Sequence, residues 1–118
     1  KMQIDYTDTE NLLIELDKCT KAFRDVTIET AKVRGEYERL SAEEKVVLAA
    51  AFNAIENKTV TEKDKICRLD EDYKQHIRRV AEVRSKYFIS FAKLEALKQR
   101  MEYLKTRISL TQTLIKLK

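Results

Sequence analysis

The chain has 118 residues, 37% of them charged, with one glycine, no proline and a formal net charge of +4. This length suffices for one domain over residues 1–118. The near absence of glycine and proline excludes a β-rich fold with many tight turns, and the abundance of charged residues, leucine and alanine is typical of long helices and coiled coils. We therefore predict an all-α fold.

A first helix is predicted from about residue 8 to about residue 56. Thr7 and Glu10 have the spacing of a capping box, which marks a helix start. Beyond them, mostly apolar residues recur at alternating steps of three and four, the a/d pattern of a coiled-coil seam. The seam positions of this helix are Leu12, Leu16, Cys19, Phe23, Val26, Thr30, Val33, Tyr37 and Leu40.

An alternative for the first half has a break near its middle. Ser41 and Glu44 also have capping-box spacing, so the first helix could end at Leu40 and a short third helix could occupy residues 42–56. We favour the continuous helix because the charge pattern described below requires no break.

A second helix is predicted over about residues 61–117, after a turn at about residues 57–60. Thr59 and Glu62 supply another capping-box pair. The seam pattern then continues without a change of phase. Its positions are Ile66, Leu69, Tyr73, His76, Val80, Val83, Tyr87, Ser90, Leu94, Leu97, Met101, Leu104, Ile108, Thr111 and Ile115.

The two helices are expected to form a long antiparallel helical hairpin, because a short connection makes consecutive helices antiparallel neighbours. A reversal at Asn57–Lys58 would place Tyr37 opposite His76 and Phe23 opposite Ser90 in the seam. A large ring opposite a smaller side chain favours close packing.

Charges beside the seam indicate the same pairing. The g positions of the second helix are all basic from residue 79 to residue 107, and most g positions of the first helix are acidic. Antiparallel helices set g against g, and such pairs fix register and orientation. The predicted pairs are Glu36 with Arg79, Glu29 with Lys86, Ala22 with Lys93, Glu15 with Arg100 and Asp8 with Arg107.

More apolar surface remains on the second helix than one seam can bury. Exposed apolar stripes commonly mark association surfaces. We therefore predict that the hairpins form a homo-oligomer, as a helical bundle. The predicted oligomer interface consists of Phe88, Ile89, Ala92, Tyr103, Leu110 and Leu114.

No catalytic, cofactor-binding or metal-binding residues are predicted. His76, the only histidine, falls in the seam, where a general base would have neither a pocket nor an orienting partner. Cys19 falls in the seam and Cys67 at an outward b position, without metal-ligand spacing. No run approaches the length of a membrane span, so we expect no membrane partner. Two cysteines are too few for a disulfide scaffold, so we expect an intracellular, cytoplasmic protein. Because one glycine rules out a Gly-rich phosphate loop and no catalytic cluster is present, we expect that the protein is not an enzyme.

The basic residues are the best argument for nucleic-acid binding. Residues 74–118 carry twelve Lys/Arg and three Asp/Glu, whereas residues 1–73 carry twelve and seventeen. The e positions of the second helix have no acidic counterparts on the first helix, so their charges remain available for phosphates. The candidate nucleic-acid contacts are Arg84, Lys98 and Lys105, together with Arg78 and Lys74.

The segment 96–110, with its Leu104-Lys105-Thr106-Arg107-Ile108 element, resembles small all-helical accessory proteins of temperate bacteriophages. Ala49-Ala50-Ala51 and Asn57-Lys58-Thr59 resemble the Ala-rich segment and the polar turn that precede this element. Such proteins are often encoded near DNA recombination genes. The resemblance implies an accessory role in phage DNA metabolism or in countering the host, and it transfers no catalytic residue.

Taken together, these features predict a non-enzymatic, oligomeric coiled-coil interaction protein, acting in the host cytoplasm as a phage accessory factor on a host or phage protein. The alternative is a nucleic-acid-binding accessory protein in phage DNA recombination or replication. Binding to an oligonucleotide distinguishes the two, because contacts to phosphates weaken steeply as salt rises.

Overall fold

The computed structural model describes residues 6–117, which form three helices and contain no strand. Helix α1 spans Tyr6–Asn53, α2 spans Val60–Cys67 and α3 spans Glu71–Lys116. The predicted all-α helical hairpin is confirmed, with the two long helices α1 and α3 as its arms.

Helix α1 is continuous through the position where the alternative placed a break. It passes Ser41 and ends at Asn53, slightly earlier than predicted, so the separate helix over 42–56 is wrong. Part of the reason is local, because Arg39 and Glu43 form an i,i+4 ion pair at 3.1 Å that joins successive turns across Ser41.

The second predicted helix, about 61–117, is in fact two helices. Helix α2 begins as expected, since Thr59 caps it by accepting a hydrogen bond from the backbone N–H of Glu62 at 3.2 Å. A new helix then begins after Asp70, whose carboxylate accepts a hydrogen bond from the N–H of Tyr73 at 3.1 Å. An aspartate at the N-cap, followed by acidic residues in the first turn, stabilises a helix start.

This break changes which side chains are buried. Ile66 and Leu69, predicted in the seam, are 41% and 65% exposed. Cys67, predicted on the outside, is 1% exposed, and its thiol donates a hydrogen bond to the carbonyl of Asp64. The seam phase therefore begins only at Tyr73, because α2 ends at Cys67 and α3 begins anew at Glu71 with a different phase.

From Tyr73 onward the predicted seam is confirmed. On α3 its positions to Ile115 are all buried or half-buried, and on α1 the same is true from Leu12 to Leu40. Leu40 and Leu104 are 1% and 0% exposed. Truncating such a leucine to alanine typically costs 2–5 kcal/mol, so the seam holds the helices together.

The chain forms two compact units, each with a segment of α1 and a segment of α3. Unit 1 comprises the described residues of Lys1–Thr30 and Ser90–Lys118, and unit 2 comprises Ala31–Ile89, including α2. The single domain predicted over residues 1–118 stays a prediction.

Contacts inside each unit show that the helices are antiparallel. In unit 2, Leu40 contacts His76 and Glu44 contacts Tyr73, so residue numbers fall along α3 as they rise along α1. In unit 1, the pairs Thr30–Ser90 and Glu15–Arg100 follow the same order.

At two seam contacts the register differs from the predicted one. His76 bonds to Leu40, one seam position beyond the predicted Tyr37, and Ser90 bonds to Thr30, two seam positions beyond Phe23. The reversal is longer than a turn at 57–60, because it contains α2 and the loops on either side of it.

The cap at Asp70 gives a test of the helix break. Asp70→Ala should lower the free energy of unfolding by about 1 kcal/mol, because the N–H of Tyr73 loses its acceptor, and Asp70→Asn should retain most of the stability. The measurement is urea denaturation followed by circular dichroism. Asp25→Ala, an exposed aspartate inside α1, is the control; an equal loss in both alanine variants would contradict the cap.

Candidate interaction surfaces

A buried hydroxyl pair lies in the seam of unit 1. The hydroxyl oxygens of Thr30 and Ser90 are 2.6 Å apart, and the two residues are 8% and 5% exposed. Thr30 donates its own proton to the carbonyl of Val26 at 2.6 Å. Because a threonine hydroxyl has only one proton, Ser90 must be the donor to Thr30. A satisfied polar pair at one place in an apolar seam favours one register over others.

The histidine has a comparable role in unit 2. His76 is 6% exposed, and its Nε2 lies 2.7 Å from the carbonyl oxygen of Leu40. A carbonyl oxygen can only accept, so Nε2 carries the proton. The structure thus places His76 in the packed seam, as predicted, where it acts as a buried hydrogen-bond donor between α1 and α3.

One predicted ion pair joins the helices of unit 1. The Nε of Arg100 lies 3.0 Å from Oε1 of Glu15, and the hydrogen bond to this carboxylate raises the pKa of the Arg100 guanidinium. The same guanidinium also lies over the ring of Tyr103, at 5.1 Å from its centroid. This pair confirms the predicted g-to-g contact at one position.

Two other predicted pairs do not form within the described residues. Glu36 and Arg79 belong to unit 2, and Asp8 and Arg107 belong to unit 1, but neither pair comes within 4.0 Å. Long exposed side chains gain little from pairing, since the entropy lost by ordering them offsets most of the attraction. The acidic and basic rows are therefore not closed into a continuous ladder of ion pairs.

The predicted nucleic-acid contacts are mostly exposed. Arg78 and Arg84 lie in unit 2 and Lys98 and Lys105 in unit 1, and none of the four has an ion pair with another described residue. Lys74, by contrast, is half-buried and lies 3.9 Å from Glu71. Four of the five candidates thus carry charge that residues 6–117 leave without an acidic partner.

The predicted oligomer interface is also largely exposed. Phe88, Ile89, Tyr103 and Leu110 are between 48% and 59% exposed, and Ala92 is exposed as well. Leu114 is half-buried, so it contributes less free surface than predicted. Phe88 and Ile89 belong to unit 2, and the others belong to unit 1.

A groove between α1 and α3 in unit 2 was not predicted. It has a volume of about 590 Å³. Ile77, which is 36% exposed, forms part of its wall with Ala81 and Phe88. Ile77 falls at an e position, beside the seam. An apolar residue at such a position is the feature of the sequence that could have indicated this groove. The remaining lining residues are Tyr37, Ser41, Glu44, Val80, Arg84 and Ser85.

A smaller cavity of about 270 Å³ lies where α2 meets the end of α1. Leu48, Phe52 and Cys67 line it, and the ammonium group of Lys63 lies 5.4 Å from the centroid of the Phe52 ring. Over residues 6–117, no three His, Cys, Asp or Glu side chains cluster in a way that could hold a metal ion. In the same part of the chain, every helix is too short or too polar to cross a membrane.

A comparison of the chain with protein-family models, curated proteins and solved structures finds no match. The resemblance to phage accessory proteins therefore stays a prediction from the sequence.

The hydroxyl pair of unit 1 can be tested by substitution. Thr30→Val should lower the free energy of unfolding by about 1–3 kcal/mol, because the buried Ser90 hydroxyl loses its acceptor. Thr30→Val/Ser90→Ala should recover most of that loss, because the double variant has no buried hydroxyl left without a partner. The measurement is denaturant unfolding at equal protein concentration.

Thr27→Val is a matched control, because exposed Thr27 makes the same type of hydrogen bond, to the carbonyl of Phe23 at 2.7 Å. It should change stability by less than about 0.5 kcal/mol. A double variant no more stable than Thr30→Val would show that the hydroxyl pair does not couple the helices.

Proposed function

We propose that this chain is a non-enzymatic, oligomeric coiled-coil protein that works by binding protein through the exposed apolar side chains of α3. The observation that carries the proposal is the exposure of Phe88, Ile89, Tyr103 and Leu110, each about half accessible or more. Burying such side chains against a partner removes apolar area from water, at roughly 25 cal/mol per Å². The partners in this proposal are further copies of the chain and a second protein.

The setting of the proposal comes from the sequence resemblance alone. It is an accessory factor of a temperate phage, acting on a host or phage protein in the cytoplasm of the host cell. A helical hairpin fits such a role because its long helices present side chains to a partner without requiring a catalytic pocket.

The apolar surface of unit 1 offers the first test. The wild-type chain should have a mass in solution, by light scattering, that is a multiple of the chain mass. Tyr103→Ser/Leu110→Ser should lower that mass at the same concentration, because both side chains are exposed in the unit and contribute apolar area only on association.

Gln99→Ser/Gln112→Ser is the matched control, since both glutamines are exposed on α3 and serine carries a comparable helix-propensity cost there. This control should leave the mass unchanged. Equal masses for the wild type and the Tyr103/Leu110 variant would contradict association through this surface.

A second candidate function, nucleic-acid binding in phage DNA recombination or replication, is favoured by a different observation. Arg84, Lys98 and Lys105 have no acidic partner among the described residues, so their charges can contact phosphates without breaking an existing ion pair. Arg84 also lies over the ring of Phe88, at 5.4 Å from its centroid.

For this candidate, Lys98→Glu/Lys105→Glu should weaken binding to a labelled single- or double-stranded oligonucleotide at least tenfold in low salt. The slope of log affinity against log salt should fall by about one for each phosphate contact removed. The measurement is fluorescence anisotropy over a series of salt concentrations.

Lys18→Glu/Lys32→Glu makes the same change of net charge at exposed positions of α1. This control should reduce affinity much less than the α3 variant. An equal reduction would show that net charge alone drives binding, and absence of binding by the wild type in low salt would remove this candidate.

A further inference from the structure

The groove of unit 2 has an apolar centre and opposite charges at its two ends. The α3 wall runs from Ile77 to Phe88, and Ile77 and Ala81 lie on it between the levels of the two charges. Glu44 lies at one end, beside Tyr73, whose hydroxyl is 3.5 Å from the Glu44 carboxylate. Arg84 lies towards the other end, over the ring of Phe88. The groove therefore has a negative end and a positive end.

Neither charge is neutralised inside the described chain. The structure gives Glu44 and Arg84 no ion pair with any of residues 6–117. They are also too far apart to pair with each other, because Glu44 lies level with Tyr73, and Tyr73 to Arg84 is about 16 Å along α3 at 1.5 Å per residue. Both charges are therefore available to a partner, and covering the apolar side chains between them removes apolar area from water.

Opposite charges at opposite ends make the groove self-complementary. A two-fold axis midway between the levels of Glu44 and Arg84 turns one copy end for end, so each Arg84 meets the partner's Glu44. Such an arrangement forms the ion pair twice and places Ile77 and Ala81 near the axis. The small side chain of Ala81 allows the two α3 helices to approach closely there.

We propose that this groove is the two-fold interface at which two copies of the chain associate. The inference rests on the proposed function, because it identifies the first protein partner as a second copy and assigns the surface that it covers. In this dimer Arg84 pairs with the partner's Glu44 and is not a phosphate contact. A partner of another kind would not require the charges to be arranged in this reciprocal way.

The charges can be exchanged to test the pairing. Arg84→Glu and Glu44→Arg should each raise the dissociation constant of the dimer at least tenfold, because each places like charges together at two symmetry-related positions. Glu44→Arg/Arg84→Glu should restore the constant to within about threefold of the wild type, because opposite charges meet again. Sedimentation equilibrium of the full chain measures all three, and circular dichroism confirms that each variant is helical.

Lys86→Glu is the matched control, with the same charge change at an exposed position of α3 outside the groove. It should leave the dissociation constant unchanged. A dimer that is insensitive to the single charge changes, yet is weakened by Tyr103→Ser/Leu110→Ser, overturns the groove interface and leaves the proposed function standing. A wild-type chain that is monomeric at 100 µM also overturns the groove interface.

A cross-link near the axis gives an independent measurement. In a Cys19→Ala background, Ala81→Cys should be cross-linked between two copies by a short bismaleimide, because residues beside a two-fold axis lie close to their own counterparts. The native Cys67 is 1% exposed and should not react. Lys86→Cys in the same background should remain mostly uncross-linked, and equal cross-linking of the two variants would contradict the proposed axis.

Discussion

The structure depends on a seam in which buried polar groups must find partners across two antiparallel helices. Apolar residues such as Leu40 and Leu104 are the most deeply buried, but apolar side chains alone specify the register of a coiled-coil seam weakly. The polar groups do not tolerate it, because a buried hydroxyl or imidazole without a partner costs about 1–3 kcal/mol. Ser90 therefore meets Thr30, and His76 meets the carbonyl of Leu40.

A second constraint comes from the helix ends. Asp70 caps the start of α3, so α2 is a separate helix and buries a different face. Cys67 becomes buried, whereas Ile66 and Leu69 become exposed. The helix break that the Asp70 cap stabilises therefore accompanies a change in which neighbouring side chains are buried.

The charged side chains contribute little to the association of the two helices. Among residues 6–117, the ion pair of Glu15 and Arg100 is the one predicted g-to-g pair that forms, and exposed ion pairs are worth at most about 1 kcal/mol. Arg84 and Glu44 of unit 2 have no ion pair with another described residue, and in the proposed dimer each pairs with its counterpart on the second copy. They lie beside apolar side chains, so charge can set the orientation of a partner while apolar area supplies affinity.

The sequence by itself determined the helical class, the caps at Thr59 and the seam positions from Tyr73 to Ile115, because these follow from local spacing along one chain. It also predicted the exposure of Phe88, Tyr103 and Leu110, which fall outside the seam. Tertiary structure decided the register, because the sequence pattern allows either Tyr37 or Leu40 as the seam partner of His76. The hydrogen bond from His76 to the carbonyl of Leu40 is present only in the folded structure. It also decided the burial of Cys67 and the groove beside Ile77, because both depend on where a neighbouring helix packs rather than on spacing along the chain.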